Sequence, residues 1–351
     1  MRLIDFSFDL PPELIAQEPT PERGQSRLLV ADRATGRLED RVFTELPLLL
    51  RRGDLLVFNN TRVFAARLLG RRLPGGGTAE CLLVRRLEAT SPTAEIWEAL
   101  VHPGQRLKEG SRLELGSSSC PVHAQILERR FHGRRRVRIW TEGGSIEEAV
   151  DRAGHVPLPP YIKRADAPTD RDRYQTVYAR ERGSIAAPTA GLHFTPQILA
   201  ALDAAGIQRS VLTLHVGYGT FQPIRVEQVE DHQMEPEHYD LPAETAAAIN
   251  RAVDEGRRVI AVGTTTTRTL ESVATANGRV EAGAGATNLF IVPGHQFRVV
   301  SGLITNFHLP QSSLLLLVSA FAGRDRALAA YRHGVEKRYR FYSYGDAMVV
   351  L

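Results

Sequence analysis

Hydrophobic and polar positions change period along this chain, and the changes divide it. Near the start, Leu28-Leu29-Val30 and Leu55-Leu56-Val57-Phe58 are short continuous apolar runs bounded by Asp, Gly or Asn, which predicts two buried strands. Pro11-Pro12, Pro19 and Pro21 leave the first segment irregular, or helical only in short pieces. From about 66 to 154 brief apolar segments at 81–84, 96–101, 112–115, 122–127 and 136–140 alternate with glycine turns, the pattern of a small all-β sandwich or barrel. Beyond 155 the periods of strand and helix alternate. Thr195-Pro196 opens a helix that runs to Gly206, 211–216 is a strand, 243–255 is a helix closed by Gly256, and 259–262 is a second buried strand. Thr264–Thr267 leads into a helix beginning near Arg268, 314–322 and 327–331 read as helical, and 348–351 reads as a last strand. The expected fold is an α/β body with a mixed sheet, formed by 1–65 and 155–351, plus an inserted all-β, barrel-like domain at 66–154.

Composition changes this picture little. The 351 residues suit about two domains, and 43% apolar with 24% charged residues is ordinary for a globular chain. Cys81 and Cys120 cannot make a disulfide framework, and no Cys/His spacing points to a structural metal. The start of the chain lacks a signal-peptide apolar stretch, and the longest apolar run, 314–322, is about half a membrane span. A soluble, cytoplasmic protein is expected. Net charge is only +4, yet the sole lysines are Lys108, Lys163 and Lys337, so the basic charge is almost all arginine. Arginine stacks on bases and grips phosphate, which suits an RNA partner; coding bias is the alternative.

Candidate chemistry sits in five stretches. Ser184-Ile185-Ala186-Ala187-Pro188-Thr189-Ala190-Gly191-Leu192-His193-Phe194-Thr195 lets backbone approach a ligand and sets His193 just before a helix start. Thr213-Leu214-His215-Val216-Gly217-Tyr218-Gly219-Thr220-Phe221 runs a strand into a glycine turn, without the third glycine of a dinucleotide fingerprint. Glu230-Asp231-His232-Gln233-Met234-Glu235-Pro236-Glu237-His238-Tyr239 interleaves acids and histidines, but Pro236 breaks the helical spacing a zinc pair needs. Gly263-Thr264-Thr265-Thr266-Thr267-Arg268 puts four hydroxyls and a cation at a strand end, where open α/β sheets bind ligands. Thr305-Asn306-Phe307-His308 places Asn306 and His308 on one side of an extended segment. Each has a plain structural alternative: a connector, a core histidine, a solvated acidic loop, a helix cap, an edge strand. Aromatics beside charge in Tyr339-Arg340-Phe341-Tyr342-Ser343-Tyr344-Gly345-Asp346 could stack a base or only fill a core, and Arg134-Arg135-Arg136 on a hairpin of the insert could track phosphates. No G-x-S-x-G elbow, phosphate-binding Walker loop, HExxH or kinase set is present.

Together with Asp54-Leu55-Leu56-Val57-Phe58-Asn59-Asn60-Thr61-Arg62, Pro157-Leu158-Pro159-Pro160-Tyr161-Ile162 and Tyr174-Gln175-Thr176-Val177-Tyr178, these stretches resemble the S-adenosylmethionine:tRNA ribosyltransferase-isomerase family of queuosine biosynthesis from end to end. The resemblance implies an α/β body with an inserted β-barrel and a cytoplasmic, monomeric enzyme. It also implies transfer and isomerisation of the ribosyl group of S-adenosylmethionine onto 7-aminomethyl-7-deazaguanine at the tRNA wobble position, with adenine and methionine released. Two departures stand out: Glu235 where the family often has a histidine, and Thr266-Thr267 before Arg268 in place of Ser-Val.

That reaction needs a base at the ribose C5′–H acidified by the sulfonium, a donor for departing adenine, a neutral amine and a dry site; no metal or cofactor is called for, S-adenosylmethionine being a co-substrate. By residue type and motif position, the base is His193, with His215 or His232 as alternatives. Asp346 or Glu237 orients the base or pairs with the amine. Arg268 with Thr264, Thr265 and Thr266 holds the methionine carboxylate or ribose, and Tyr344 and Phe221 stack on a ring. Thr189, Gly191, Gly217, Thr220, Asn306 and His308 complete the substrate site, and Arg134, Arg135 and Arg136 contact the tRNA anticodon arm. Two other classes stay open: a tRNA-binding protein without catalysis, and an S-adenosylmethionine-dependent RNA methyltransferase, the latter disfavoured because no glycine-rich loop follows the first strand.

Overall fold

A computed structural model describes residues 1–117, 121–221 and 224–351, without the side chains of His132, Thr220 and Phe221. Cys120 and the contacts expected of Thr220 and Phe221 therefore lie outside the described residues. Runs that are apolar at every position become strands buried on both faces. Leu55–Asn59 is the clearest: Leu55 and Val57 join one core, and Leu56 and Phe58 join the core on the opposite face. Parallel pairing joins it to Gln208–Leu214 on one side and to Val259–Val262 on the other, and Val259–Val262 pairs in parallel with Gly302–Asn306. Antiparallel pairing adds Glu237–Leu241 and Gly283–Thr287 at one end and Ala347–Val350 beside Gly302–Asn306 at the other; Arg27–Ala31 then pairs in parallel with Ala347–Val350, and Leu38–Val42 closes that edge antiparallel to Arg27–Ala31.

The consequence for function is directional. The four parallel strands end on the same side of the sheet, so Asn59, Leu214, Val262 and Asn306 bring their following loops together there. Helices Ala243–Asp254, Ser313–Ala322 and Arg324–Glu336 fill one face with Ile249, Leu315, Phe321 and Tyr331; Pro196–Ala204 covers the other with Ile198 and Leu202.

The segment expected to be inserted holds a closed antiparallel barrel, ordered Arg134–Trp140, Ala94–His102, Thr78–Ser91, Arg67–Leu73, Arg112–Leu115 and Val122–Arg129. Period-two positions such as Leu68, Cys81, Ala99, Leu113, Ala124 and Val137 fill its interior, and helix Ile146–Ala153 plugs it with Ile146, Ala149 and Val150. Mixed sheet and barrel are the fold class the sequence pattern leads to. Two details differ. Arg67–Leu73 was not visible as a strand, because Gly70, Arg71 and Arg72 interrupt its apolar pattern. The helix expected from Arg268 begins at Thr264 instead. Gly263, at φ 94°, turns the chain sharply out of the strand, and Thr266, Thr267 and Thr269 satisfy their hydroxyls on carbonyls four residues back, so threonines are accommodated inside the helix.

The C-terminal loop is latched to the first strand by Asp346. Its buried carboxylate accepts the backbone N–H of Arg27 at 2.9 Å and of Arg340 at 2.8 Å, and pairs with the Arg27 guanidinium at 3.1 Å. The ion pair is screened, since the Arg27 side chain is 38% exposed. The two backbone donors dominate, so Asp346→Ala is expected to lower unfolding stability by about 2–3 kcal/mol in urea titrations; a loss below about 0.5 kcal/mol would show that the latch is idle.

Candidate functional site

Two clefts lie beyond the strand ends, and Val216 lines both. The inner one is a slot with about 50 Å³ open to solvent, between Ala186, Ala187, Pro188 and Ala190 on one wall and Tyr161, Tyr342 and Leu314 on another. Thr189, Thr264, Thr265, Thr305, Asn306, His308 and Ser343 give it hydroxyl, amide and imidazole groups, and among the described residues no Asp, Glu, Lys or Arg lines it. Asn59, at the end of the central strand, braces the floor: its side chain bonds both the N–H and C=O of Leu214 and reaches Thr265 Oγ1 at 3.4 Å. Tyr342 holds a left-handed φ of 73°, strain of the kind that folds tolerate mainly at sites.

His193 does not line this slot; it sits behind it. Its Nε2 accepts from Asn306 Nδ2 at 3.1 Å, and its Nδ1 meets Ser26 Oγ at 2.7 Å. Burial, helped by the Arg23 charge, pushes its pKa down to about 3, so it is neutral, with its one proton on Nδ1 toward Ser26. Asn306 gives its other amide hydrogen to the Tyr342 carbonyl at 3.1 Å. With both hydrogens used, the buried Oδ1 is left without a partner among the described residues, on a residue that lines the slot. His308 is likewise buried and pushed down to about 3, with Nε2 at 2.8 Å from Thr305 Oγ1.

The outer cleft, with about 1430 Å³ open to solvent, separates body and barrel. Gly183, His215, Gly217 and Glu237 line the body side; Arg85, Arg86, Trp97, Glu98, Arg129, Arg130 and Arg134 line the barrel side. Gly183 is required here, since a Cβ would fall 2.7–2.9 Å from the His215 ring. His215 Nδ1 meets Thr61 Oγ1 at 2.8 Å, and that hydroxyl donates onward to the Glu181 carbonyl at 3.4 Å. The proton of a neutral His215 is therefore on Nδ1, and Nε2, with no hydrogen bond among the described residues, keeps its lone pair. Burial lowers the His215 pKa, with Glu181 opposing and His238 adding to it.

Several expected site residues go elsewhere. Asp346 is consumed by the latch to Arg27. The Tyr344 hydroxyl donates to Asp170 at 2.7 Å, deep beside Tyr174, and forms no stacking surface. Thr266 is fully buried, its hydroxyl on the Val262 carbonyl. Gly191 packs against Tyr178 and Thr176, off the slot. His232 lines neither cleft and packs edge-on to Phe290, its pKa lowered by burial. Arg268 meets this chain's own Glu237 in a fully buried ion pair, and Glu237 also accepts the Gly217 N–H at 3.0 Å. The triplet splits by strand alternation. Arg134 faces the outer cleft and ties Glu98 of the barrel, at 2.8 Å, to Glu235 of the body; Arg135 points inward to the carbonyls of Gly133, Arg134 and Gly104; Arg136 is 3.8 Å from Glu88. Thr189, Thr264, Thr265, Asn306 and His308 come together in the slot. Sequence reasoning passed over Tyr161, Tyr342 and Ser343, although all three lie inside motifs already quoted.

Two histidines held neutral in the fold but titrating near 6.5 when unfolded make stability depend on acid. Their contribution is complete above about pH 6.5 and is lost as pH falls toward about 3, at about 1.4 kcal/mol per pH unit for each. Urea unfolding between about pH 6 and about pH 4.5 should show this slope, and His308→Gln should remove about half of it; equal slopes would contradict the assignment.

Comparison with known proteins places the chain in a family. The family model described as "Queuosine biosynthesis protein" matches residues 3–350. The S-adenosylmethionine:tRNA ribosyltransferase-isomerase of Desulfitobacterium hafniense is 50% identical over 351 residues, covering 100% of both chains. The protein of the same name from an Anaeromyxobacter strain is 52% identical over 350 residues, covering 100% of this chain and 99% of that one. The crystal structure of S-adenosylmethionine tRNA ribosyltransferase from Thermotoga maritima is similar with a TM-score of 0.56 at 38% identity, covering 99% of this chain and 100% of that one. With a family model matched almost from end to end and relatives at half identity over the full length, this chain belongs to the queuosine biosynthesis protein family.

Proposed function

We propose that this chain is an S-adenosylmethionine:tRNA ribosyltransferase-isomerase that moves the ribosyl group of S-adenosylmethionine onto 7-aminomethyl-7-deazaguanine at the tRNA wobble position, giving epoxyqueuosine and releasing adenine and methionine. The observation that carries the residue assignments is the pair of clefts joined at Val216, one without charge and one charged. A narrow slot with apolar walls suits a flat, uncharged purine and excludes the sulfonium. Adenine enters it with the exocyclic amine toward Asn306 Oδ1, the acceptor left unpaired by His193 and Tyr342. Thr264 and Thr265 hydroxyls face the ring nitrogens, where negative charge develops as adenine leaves.

The ribose and sulfonium then lie toward Val216 and the outer cleft, where charged groups of both signs meet. There His215 Nε2 takes the C5′ proton; Thr61 fixes its tautomer, and its lowered pKa keeps it neutral at working pH. The ylide so formed breaks its C1′–N bond to adenine, which takes up a proton at nitrogen; the aminomethyl nitrogen bonds to the ribosyl carbon skeleton and gives up one of its protons; closure of the epoxide C–O bond breaks the C–S bond and expels methionine, so that, with the C5′ proton counted, one proton is released overall. The sulfonium supplies both the acidity and the leaving group, so the scheme draws on no metal or redox cofactor. Arg85, Arg86, Arg129 and Arg134 line the route of the RNA, which binds through its anticodon arm. The cytoplasm, where tRNA is modified, and a monomeric state complete the proposal; no helix among the described residues is long and apolar enough to cross a membrane.

The test is product analysis with S-adenosylmethionine and an anticodon stem-loop carrying 7-aminomethyl-7-deazaguanine. Free adenine and methionine should appear in equal amounts, with RNA heavier by the rearranged ribosyl unit. His215→Ala should slow this by about 10²–10⁴-fold, while His232→Ala stays near the parent rate. S-adenosylhomocysteine as product would mean methylation, and binding without product would mean an RNA-binding protein.

A further inference from the structure

We infer that Phe131, at the lip of the outer cleft, is a stacking platform for an unpaired nucleobase next to the modified nucleotide. The inference rests on the RNA-modifying function proposed above and deepens it. Among the described residues no large apolar side chain is more exposed: Phe131 is 89% exposed. It occupies the turn that joins strands Val122–Arg129 and Arg134–Trp140, and it lines the same cleft as His215 on the facing wall. An isolated exposed phenyl is unremarkable in itself. Its surroundings give this one a partner of definite chemistry.

The cations around it differ in what they already hold. Arg130 is 3.4 Å from Glu128, Arg86 is 3.1 Å from Glu95, Arg85 is 3.6 Å from Glu98, and Arg134 bridges Glu98 and Glu235. Arg129 is exposed and has no carboxylate within 4.0 Å among the described residues, although Glu128 and Glu98 border the same cleft. Its charge is felt by Arg135, whose pKa is lowered first by burial and then by Arg129. A solvent-facing ring two residues from an unneutralised guanidinium matches one nucleotide: base on the ring, phosphate on the arginine. A protein partner would match the ring but gives no reason for the uncompensated cation. Single-stranded loop bases are the ones available for such splaying and stacking, and the wobble nucleotide lies in a loop.

The experiment uses the full chain and the anticodon stem-loop carrying 7-aminomethyl-7-deazaguanine, with 2-aminopurine in place of the base on either side in turn. Bound to the parent protein, the fluorophore at one flanking position should be quenched by stacking. Phe131→Ala should release that quenching and weaken binding about tenfold or more, with the salt dependence of binding unchanged; Phe131→Trp should restore both. Arg129→Ala should instead reduce the log–log salt slope by about 0.7–0.9. Quenching and affinity in Phe131→Ala equal to the parent's would overturn the inference while leaving turnover, and so the proposed function, intact. A dimer of the parent chain that Phe131→Ala dissociates in sedimentation would overturn it too, by assigning the ring to a self-contact. If the parent neither binds the stem-loop nor releases adenine, both the function and the inference built on it fall.

Discussion

One neutral imidazole constrains the rest of the site. His193 is enclosed between Ser26 and Asn306, with a pKa pushed down to about 3, and a ring that cannot protonate offers Asn306 only an acceptor. The Asn306 amide must then turn its NH₂ toward His193 and the Tyr342 carbonyl, and its oxygen is left unpaired at the slot. Leaving a buried carbonyl oxygen unsatisfied costs roughly 1–3 kcal/mol, which a ligand donor would recover. The same contact explains the left-handed backbone at Tyr342, whose carbonyl is held by Asn306 and whose N–H bonds the Phe307 carbonyl at 2.9 Å. His193, expected as the base, is placed to orient the Asn306 amide rather than to line the slot.

Charge is segregated across Val216. Uncharged groups surround the inner slot, where a fixed charge would be costly to bury. Of the two clefts, only the outer one is lined by carboxylates and arginines among the described residues. This division suits a co-substrate with a neutral purine at one end and a sulfonium at the other, presented to a polyanion. Glu235 belongs to this charged side: its ion pair with Arg134 ties body to barrel across the cleft.

How much could be read from the chain depended on whether a residue's role was set locally. The barrel was legible because turn glycines recur between short alternating runs, and Leu55–Asn59 because a strand buried on both faces has no polar position. Thr189, Thr264, Thr265, Asn306 and His308 lie together because strand ends in an α/β sheet converge by topology. Asp346 and Tyr344 were misjudged for a shared reason. Their partners, Arg27 and Asp170, lie more than a hundred residues away, and only the folded chain shows those groups already spoken for. Arg135 was misjudged because it sits mid-triplet on a strand, so its side chain points into the barrel wall while Arg134 faces the cleft. The cause that fixes Gly183, the His215 ring lying against its backbone, is visible only in the folded chain.

The most direct measurement is a structure of the protein with S-adenosylmethionine and a stem-loop bearing unmodified guanine, which lacks the nucleophilic amine and so traps both substrates. Adenine should lie in the slot with its amine within hydrogen-bonding distance of Asn306 Oδ1, and the ribose C5′ should face His215 Nε2 across Val216. Adenine bound in the outer cleft, or an Asn306 amide turned so that its nitrogen faces the ligand, would contradict this account.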